Sequence, residues 1–474
     1  MTTPAYRCDV AVVGCGPTGA VLAKLLALSG VSVVVLDRAA DLYPLPRAVH
    51  FDDECMRVFQ TVGISDALRE RVRVNPGMRF VAPDGRCLLD WPRPAEITPQ
   101  GWHASYRLHQ PDLEQLLRAT LDRDPAVDLL TAHRVDGLVS SDDGVVLHAV
   151  DEATGTPTRV AARYAVGCDG ARSTVRSALG LEYTDLGFTE RWLVIDLLLT
   201  RERPDLGDHT LQFCNPEQPA TYCRNPGTRR RWEFRLNTDD DEATETETAR
   251  IWARLAPWLA PHEAEIERRA VYTFRSAVTK AWRRGRVLLA GDAAHLTPPF
   301  MGQGMCAGIR DAANLAWKVA SCMENGDDPA HLDSYAAERG PHVRAYIDTA
   351  ARLGNLVSTV DPTQAQTLAT AGTATMASLS RRLGGVSAEA HDRVGTLAPQ
   401  PTLADGIRLD DAVGYRHALL TRHRLVDATT PAGVVPFDGE THPGVAACLD
   451  ALGVDTLSVR PDRYIDAVYW GGPD

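Results

Sequence analysis

The chain has no long apolar run. Nowhere in its 474 residues do the ~18 consecutive apolar residues of a membrane-spanning helix occur, so integral membrane association is not expected. The opening MTTPAYRCDV lacks the basic segment and long apolar stretch of a secretory leader. Cysteine is sparse: ten residues, scattered from Cys8 to Cys448 and none at CxxC spacing. That argues against a disulfide framework or a structural zinc and for reduced thiols in a cytoplasmic protein. Basic excess is missing as well. Fifty Lys and Arg face 62 Asp and Glu, a net charge of −12, which is the wrong balance for neutralising nucleic-acid phosphates. One local run, Arg229-Arg230-Arg231, suits at most a small anion. HExxH and GxSxG are absent, so zinc-hydrolase and serine-hydrolase chemistry have no support. The histidines are scattered, and no metal site is expected.

What is present fits roughly two to four globular domains, with 44% hydrophobic and 24% charged residues. Cys8–Val13 reads as a buried parallel strand. A glycine-rich turn and an apolar helix through Leu28 follow, then a second valine-rich strand, Val31–Leu36, ending at Asp37. A helix is expected over Pro111–Leu121, and a small antiparallel meander over 127–168. From Gly187 to Arg275 the texture is β-rich, with Trp192–Leu199 and Arg231–Leu236 as strands and a helix around Glu242–Leu255. Arg286–Ala290 reads as a strand and Gln303–Cys322 as a long helix. Thr363–Gly385 resembles a surface helix or linker. Beyond Gly395 strand-like runs return at Thr456–Val459 and Tyr464–Tyr469.

Gly14-Cys15-Gly16-Pro17-Thr18-Gly19 fits GxGxxG between a strand and a helix. Gly14 allows the tight turn, Gly16 lets the backbone approach a pyrophosphate, and Gly19 permits close helix–strand packing. The helix N-terminus offers unpaired N–H groups and a partial positive charge. Asp37, followed by Arg38, stands where a carboxylate accepts from a ribose diol. This unit predicts dinucleotide binding without saying which dinucleotide.

Two later stretches narrow the choice: GCDGARSTVR at 167–176 and AGDAAHLTPPFMGQGMCAGIRDAANLAWK at 290–318. With the glycine loop, in this order, they resemble the single-component FAD-dependent aromatic hydroxylases, nearest the 3-(3-hydroxyphenyl)propionate and polyketide hydroxylase subgroup. The likeness runs over roughly residues 7–350. It implies an α/β fold in three parts: a Rossmann-like FAD-binding domain (1–75, 105–186 and 284–360), an inserted antiparallel β-sheet substrate domain (76–104 and 187–283), and a thioredoxin-like C-terminal domain (395–474) after a helical linker (361–394). Asp292 would then accept from a ribityl hydroxyl, and Asp169 and Gly170 would serve FAD and nicotinamide. Arg47 and Gln110 match positions that contact the flavin or its phosphates. Pro299, Gly302, Gln303, Gly304 and Met305 would bring a helix N-terminus to the flavin. Glycine at 304 would permit close approach and an unusual backbone angle. Asp37 departs from the commoner glutamate, and Gln110 sits in RLHQ without the usual nearer arginine.

The activity implied is NAD(P)H-dependent monooxygenation. NADH or NADPH reduces FAD, O₂ forms a C4a-hydroperoxide, and the oxygen passes to a phenolic or polycyclic aromatic substrate. A phenol has a pKa near 10, so a base within hydrogen-bond reach of its hydroxyl is expected. The candidates are His50, Tyr222 and Arg224, with Trp192, Tyr222, Arg224, Pro298 and Phe300 lining the substrate. Each is equally readable as a core or surface residue. His295 reads as structural or flavin-adjacent rather than as a ligand. Cys448 alone rules out thiol–disulfide catalysis in the C-terminal part, where a structural or homodimer role is the default. A same-fold flavin reductase or dehydrogenase and a non-catalytic FAD protein remain alternatives.

Overall fold

The computed structural model describes residues 5–326, 329–358, 367, 382–384, 391–424 and 433–469; most of the proposed 361–394 linker lies outside them. The first strand, Tyr6–Val13, ends in four buried residues. It lies parallel between Val33–Leu36 and Pro157–Gly167. Strand Val127–Leu130 continues this sheet parallel to Val33–Leu36, instead of opening the meander expected over 127–168. The antiparallel part consists of His133–Ser140 and Val145–Asp151 folding onto Pro157–Gly167. That last strand is long enough, at 11 residues, to pair with both parts. Val287–Leu289 joins it in parallel on its far side. The helix Pro17–Leu28 covers one face and ends at Ser29, and Gly30 turns the chain with φ +77°.

A second eight-stranded sheet is built on Tyr183–Leu199 paired antiparallel with Ala264–Thr279. Strands Arg229–Leu236, Ala220–Arg224 and Thr210–Phe213 follow outward. The antiparallel expectation fails at one ladder, since Thr210–Phe213 runs parallel to Gly77–Val81. Alternation divides its residues between two faces. Leu193, Ile195, Tyr222, Trp232 and Phe234 pack with Ile251 and Leu255 of a covering helix. Trp192, Asp196, Arg231 and Glu233 point the other way. The single helix expected around Glu242–Leu255 is two short ones, Glu242–Glu245 and Thr248–Leu255.

A three-stranded ribbon, His50–Asp52, Ser105–Arg107 and Arg73–Val74, lies between the two large sheets. Helix Gly304–Glu324 packs on Pro17–Leu28 and on a 30-residue helix, Pro329–Ser358. The latter was not anticipated. Pro341 interrupts its hydrogen bonds, and Gly354 serves packing, because a Cβ there would stand 2.5 Å from the Phe300 ring. The C-terminal unit has a four-stranded sheet in the order Val434–Asp438, His417–Thr421, Thr456–Val459, Ile465–Tyr469, with the first pair parallel and the rest antiparallel. It has its own apolar core around Leu420, Val445, Leu449 and Leu457.

Candidate functional site

The first glycine loop and the 290–318 stretch interlock at Thr18, and the 167–176 stretch meets the same loop at Gly14. A Cβ on Gly291 would come within 2.8 Å of the Thr18 hydroxyl, and one on Gly308 would collide with it. The first glycine loop, the GDAAH turn and the following helix therefore interlock only because two of the three partners are glycines. Gly14 turns with φ +97°, and a Cβ there would stand 2.5 Å from the Cys168 carbonyl. Gly19 abuts the Gly14 carbonyl in the same manner. Gly16 differs, since a Cβ there would meet nothing within 4 Å. Its backbone faces open space, and the helix that begins at Pro17 has no side-chain cap. That is a cradle for an anion at a helix N-terminus.

The acidic residues stand around this cradle. Asp37 is oriented by two backbone amides, Cys15 N–H donating to Oδ2 at 2.6 Å and Ala39 N–H to Oδ1 at 2.8 Å. Arg118 lies 3.8 Å away, and Arg38 is exposed beside it. Asp169 accepts from Val175 N–H through Oδ2 at 3.1 Å, while its Oδ1 is buried with no hydrogen-bond partner. Gly170 beside it has φ +79° and free space where a Cβ would be. Asp292 stands in a recess. Its side chain is solvent-accessible, yet enough protein surrounds it for desolvation to raise its carboxyl above the usual carboxylate range, opposed by His295 and Arg47. An orphaned acceptor at Asp169, an accessible acceptor at Asp292 and an open backbone at Gly16 fit a dinucleotide rich in hydroxyls and phosphates.

Residue Asp311 was missed at the sequence level. Fully buried, it accepts from Gly291 N–H (3.0 Å), contacts His295 Nε2 (2.6 Å) and accepts from Arg339 Nε (2.9 Å). Burial pushes its carboxyl up, but His295 and Arg339 hold it below its ordinary value. It ties the GDAAH turn to both long helices, and His295 is structural. The signal was an acid inside an apolar helix, GIRDAAN, which local pattern alone does not distinguish from a solvent-facing charge.

Gln110 is buried and faces inward. Its Oε1 accepts from the amides of Arg47 (3.1 Å) and Ala48 (2.6 Å), and its Nε2 donates to Glu114. It shapes the loop that carries Arg47, whose exposed guanidinium lies over Tyr43. The same loop is clamped from the second sheet. Arg231 donates to the carbonyls of Pro46 and Arg47 and grips Asp196 with Nε and Nη2 at 2.7 and 3.0 Å. Arg268 also donates to Pro46. The run 229–231 is therefore no free anion patch: Arg231 is an internal clamp, and Arg230 is buried.

Pro298 and Pro299 lead into a short turn, Pro299–Met301, and Gly302 closes it with φ +65°. A Cβ on Gly302 would stand 2.8 Å from His50. His50 contacts the Gly302 carbonyl through Nδ1 (3.1 Å) and the Ser105 hydroxyl through Nε2 (2.7 Å). Burial, aided by Arg107, pushes its imidazole down to about 3. With both nitrogens engaged and the ring held neutral, His50 is placed as a support for the loop, not as an open base. The left-handed backbone belongs to Gly302, not to Gly304 as expected. A Cβ on Gly304 would meet nothing within 4 Å, so the 21-residue helix starting there presents its N-terminus to open space, beside part-buried Met305. Gln303 is held behind it by Arg310, which also pairs with Asp52 and Glu54.

Of the substrate candidates, Trp192 and Phe300 come together, with ring centroids 5.4 Å apart, but inside a closed apolar cluster with Phe188, Met301 and Leu353. They back the 298–302 turn, and Pro298 is buried with them. Tyr222 and Arg224 correct the expectation. Alternation puts both on the far face, where Tyr222 packs on Trp232 at 4.8 Å and Arg224 pairs with Glu202 and Asp208. Their neighbours Thr221 and Cys223 face the ribbon instead.

A family model described as FAD binding domain matches residues 7–350. A probable NADH-specific resorcinol 4-hydroxylase of Rhodococcus jostii (strain RHA1) is 43% identical over 73% of this chain and 65% of its own length. A 3-(3-hydroxy-phenyl)propionate/3-hydroxycinnamic acid hydroxylase of Burkholderia cenocepacia (strain HI2424) is 38% identical over 74% of this chain and 64% of its own. The chain thus spans slightly less than two thirds of these relatives. Among solved structures, the flavin-dependent monooxygenase PieE in complex with FAD and substrate superposes with a TM-score of 0.80 at 22% identity, covering 98% of this chain and 96% of that one. The OxyS anhydrotetracycline hydroxylase from Streptomyces rimosus gives 0.81 at 24% identity, with the same coverage.

Proposed function

The chain belongs to the FAD binding domain family, and on that footing we propose that it is an NAD(P)H-dependent monooxygenase that hydroxylates a phenolic or polycyclic aromatic ring. The observation that carries the reading is the interlock of the first glycine loop with the 290–318 stretch at Thr18, with Gly16 and Gly304 open where a Cβ would be, Asp292 accessible, and the buried Oδ1 of Asp169 left without a partner. Gly14, Gly16, Pro17 and Gly19 would hold the pyrophosphate, and Asp37 with Arg38 the adenosine ribose. Asp169, Gly170, Arg47 and Asp292 would hold the middle of the cofactor, and Gly302–Met305 its ring. When bound, FAD supplies hydride acceptance from NADH or NADPH and activation of O₂. The rest falls to the chain. The N-terminus of Gly304–Glu324 favours negative charge placed before it. His50 fixes the Gly302 carbonyl, and the apolar cluster behind Phe300 excludes water from the turn.

The hydroxylase names of the relatives support this activity. The same reading assigns the inserted sheet to substrate and the C-terminal unit, proposed as thioredoxin-like, to structure or a homodimer contact. It places the enzyme in the cytoplasm. Among the described residues no helix is long and apolar enough to cross a membrane. The test is NADH and NADPH oxidation across a panel of phenols under ¹⁸O₂. Substrate-stimulated oxidation with one labelled oxygen in the product is expected. Peroxide without labelled product, or label from water, would overturn the reading in favour of an oxidase, a reductase or a non-catalytic flavoprotein.

A further inference from the structure

The ribbon between the sheets carries a guanidinium for which the fold supplies no partner. Arg107 lies opposite His50 in the antiparallel ladder and is 4% exposed. Its Nε is buried without a hydrogen bond, and among the described residues no side chain or carbonyl pairs with its guanidinium. Burial lowers its pKa, with Cys223 and Glu233 opposing and Arg231 reinforcing the shift. Those three neighbours lie on the face of the second sheet that looks toward the ribbon, the face to which Tyr222 and Arg224 do not belong.

The other charges on this face are committed, with the exception of Glu233. Arg231 and Asp196 hold each other, Arg231 and Arg268 hold the Pro46 carbonyl, and Arg268 stands 3.7 Å from Asp196. Glu233 stands 3.7 Å from Arg231 Nη1, outside hydrogen-bond range, and burial raises its carboxyl above the ordinary value. Around Glu233, three guanidiniums, those of Arg231, Arg268 and Arg107, thus meet two carboxylates, its own and that of Asp196, and burial disfavours the ionised form of Glu233. A buried cation without a hydrogen-bonded counter-charge is strongly unfavourable, and arginine's planar fork is the shape that receives a carboxylate through two parallel bonds. Through His50, the same ribbon face supports the Gly302 turn.

We propose that Arg107 is the substrate anchor of this site, its guanidinium receiving the carboxylate of an aromatic acid whose phenolic ring lies toward the Gly302–Gly304 turn. The proposal rests on the hydroxylase reading and refines it. Between the chemistries named for the two relatives, it selects the phenol with a carboxylate-bearing side chain over the neutral diol. Glu233, on the adjoining strand, is left free to hydrogen-bond a ligand hydroxyl.

The experiment compares FAD-loaded wild type, Arg107→Met and Arg107→Lys. Each is titrated calorimetrically with 3-(3-hydroxyphenyl)propionate and with 3-ethylphenol, which lacks only the carboxylate. FAD content and thermal melting identify any variant that has failed to fold. Wild type is expected to bind the acid at least about tenfold more tightly than the neutral phenol, as a charge-assisted bond implies. Arg107→Met is expected to erase that preference, and Arg107→Lys to restore part of it. A wild type that does not prefer the acid, or a folded Arg107→Met that still does, overturns the anchor. Because binding is read without turnover, Arg107-dependent binding with no labelled product would refute hydroxylation while supporting the anchor. Labelled product from neutral phenols with no Arg107 dependence would do the reverse.

Discussion

His50 shows how much one side chain's surroundings decide. An imidazole at the head of a β-strand in a loop-rich stretch reads as a ready base, but burial and the nearby Arg107 hold it neutral down to about pH 3. The sign of the stability effect follows. The unfolded chain titrates His50 near 6.5, so between pH 6.5 and 3 unfolding takes up a proton that the folded site refuses. His50's contribution is therefore present in full above about pH 6.5 and is lost as pH falls, with a slope of at most about 1.4 kcal/mol per pH unit. Denaturant unfolding at pH 7.5 and pH 5 should show that loss in wild type. His50→Gln, which can still reach both partners, should show a flatter profile. Equal slopes would mean that the imidazole is not held neutral. Asp292 is the opposite case. Its accessible carboxyl has little to do within the chain, so Asp292→Ala should leave the fold intact and weaken FAD retention about tenfold or more, the worth of a charge-assisted hydrogen bond. Fluorescence of flavin released on dialysis measures it.

At the scale of elements, the turn before the long helix separates two glycines that look alike in sequence. Gly302 has φ +65°, and a Cβ would press on His50 at 2.8 Å. Gly302→Ala should therefore cost about 1–2 kcal/mol from the left-handed backbone alone, seen as a lower melting temperature. A Cβ on Gly304 meets nothing within 4 Å, and the residue is already helical. Gly304→Ala should be neutral or slightly stabilising while slowing flavin reduction by NAD(P)H, because on the proposed placement the bound ring would occupy that space. The reverse pattern would mean that the flavin lies elsewhere. Much of this was legible. Strand, glycine turn, helix and acid followed one another from Cys8 to Asp37, and AGDAAH to GQGM placed a second loop before a second helix. What could not be read was facing. Period-2 alternation says that Tyr222 and Arg224 share a side and that Thr221 and Cys223 share the other. Nothing local says which side meets the ribbon, because both faces of this sheet are buried. The helix 329–358 escaped for a related reason, since Pro341 and Gly354 break its pattern while tertiary packing maintains it.

At the scale of the molecule, the C-terminal unit is fastened by charges that no local pattern reveals. Arg57 grips Asp410 with Nε and Nη2 at 2.7 and 2.9 Å across a sequence separation of 353 residues, and both side chains are about 1% exposed. The contact continues toward the site. Tyr464 donates to Glu54 at 2.6 Å, Glu54 pairs with Arg310, and Arg310 donates to Gln303 at the head of the long helix. A buried pair contributes little over a well-packed apolar substitute, but removing one partner strands the other, at about 3–5 kcal/mol. Arg463, 3.3 Å from Asp410 and also donating to the Gly414 carbonyl, softens that cost when Arg57 is removed, and is itself stranded when Asp410 is. Arg57→Met should therefore lower the melting temperature by several degrees, and the triple variant Arg57→Met/Asp410→Leu/Arg463→Met, which removes all three charges together, should recover most of the loss. If the unit is joined to the site as the Tyr464–Glu54–Arg310–Gln303 chain implies, Arg57→Met should also lower FAD occupancy at temperatures where the protein is still folded. A variant that melts early in two separate transitions, with FAD occupancy untouched up to the second, would show the C-terminal unit to be a passenger rather than a support of the site.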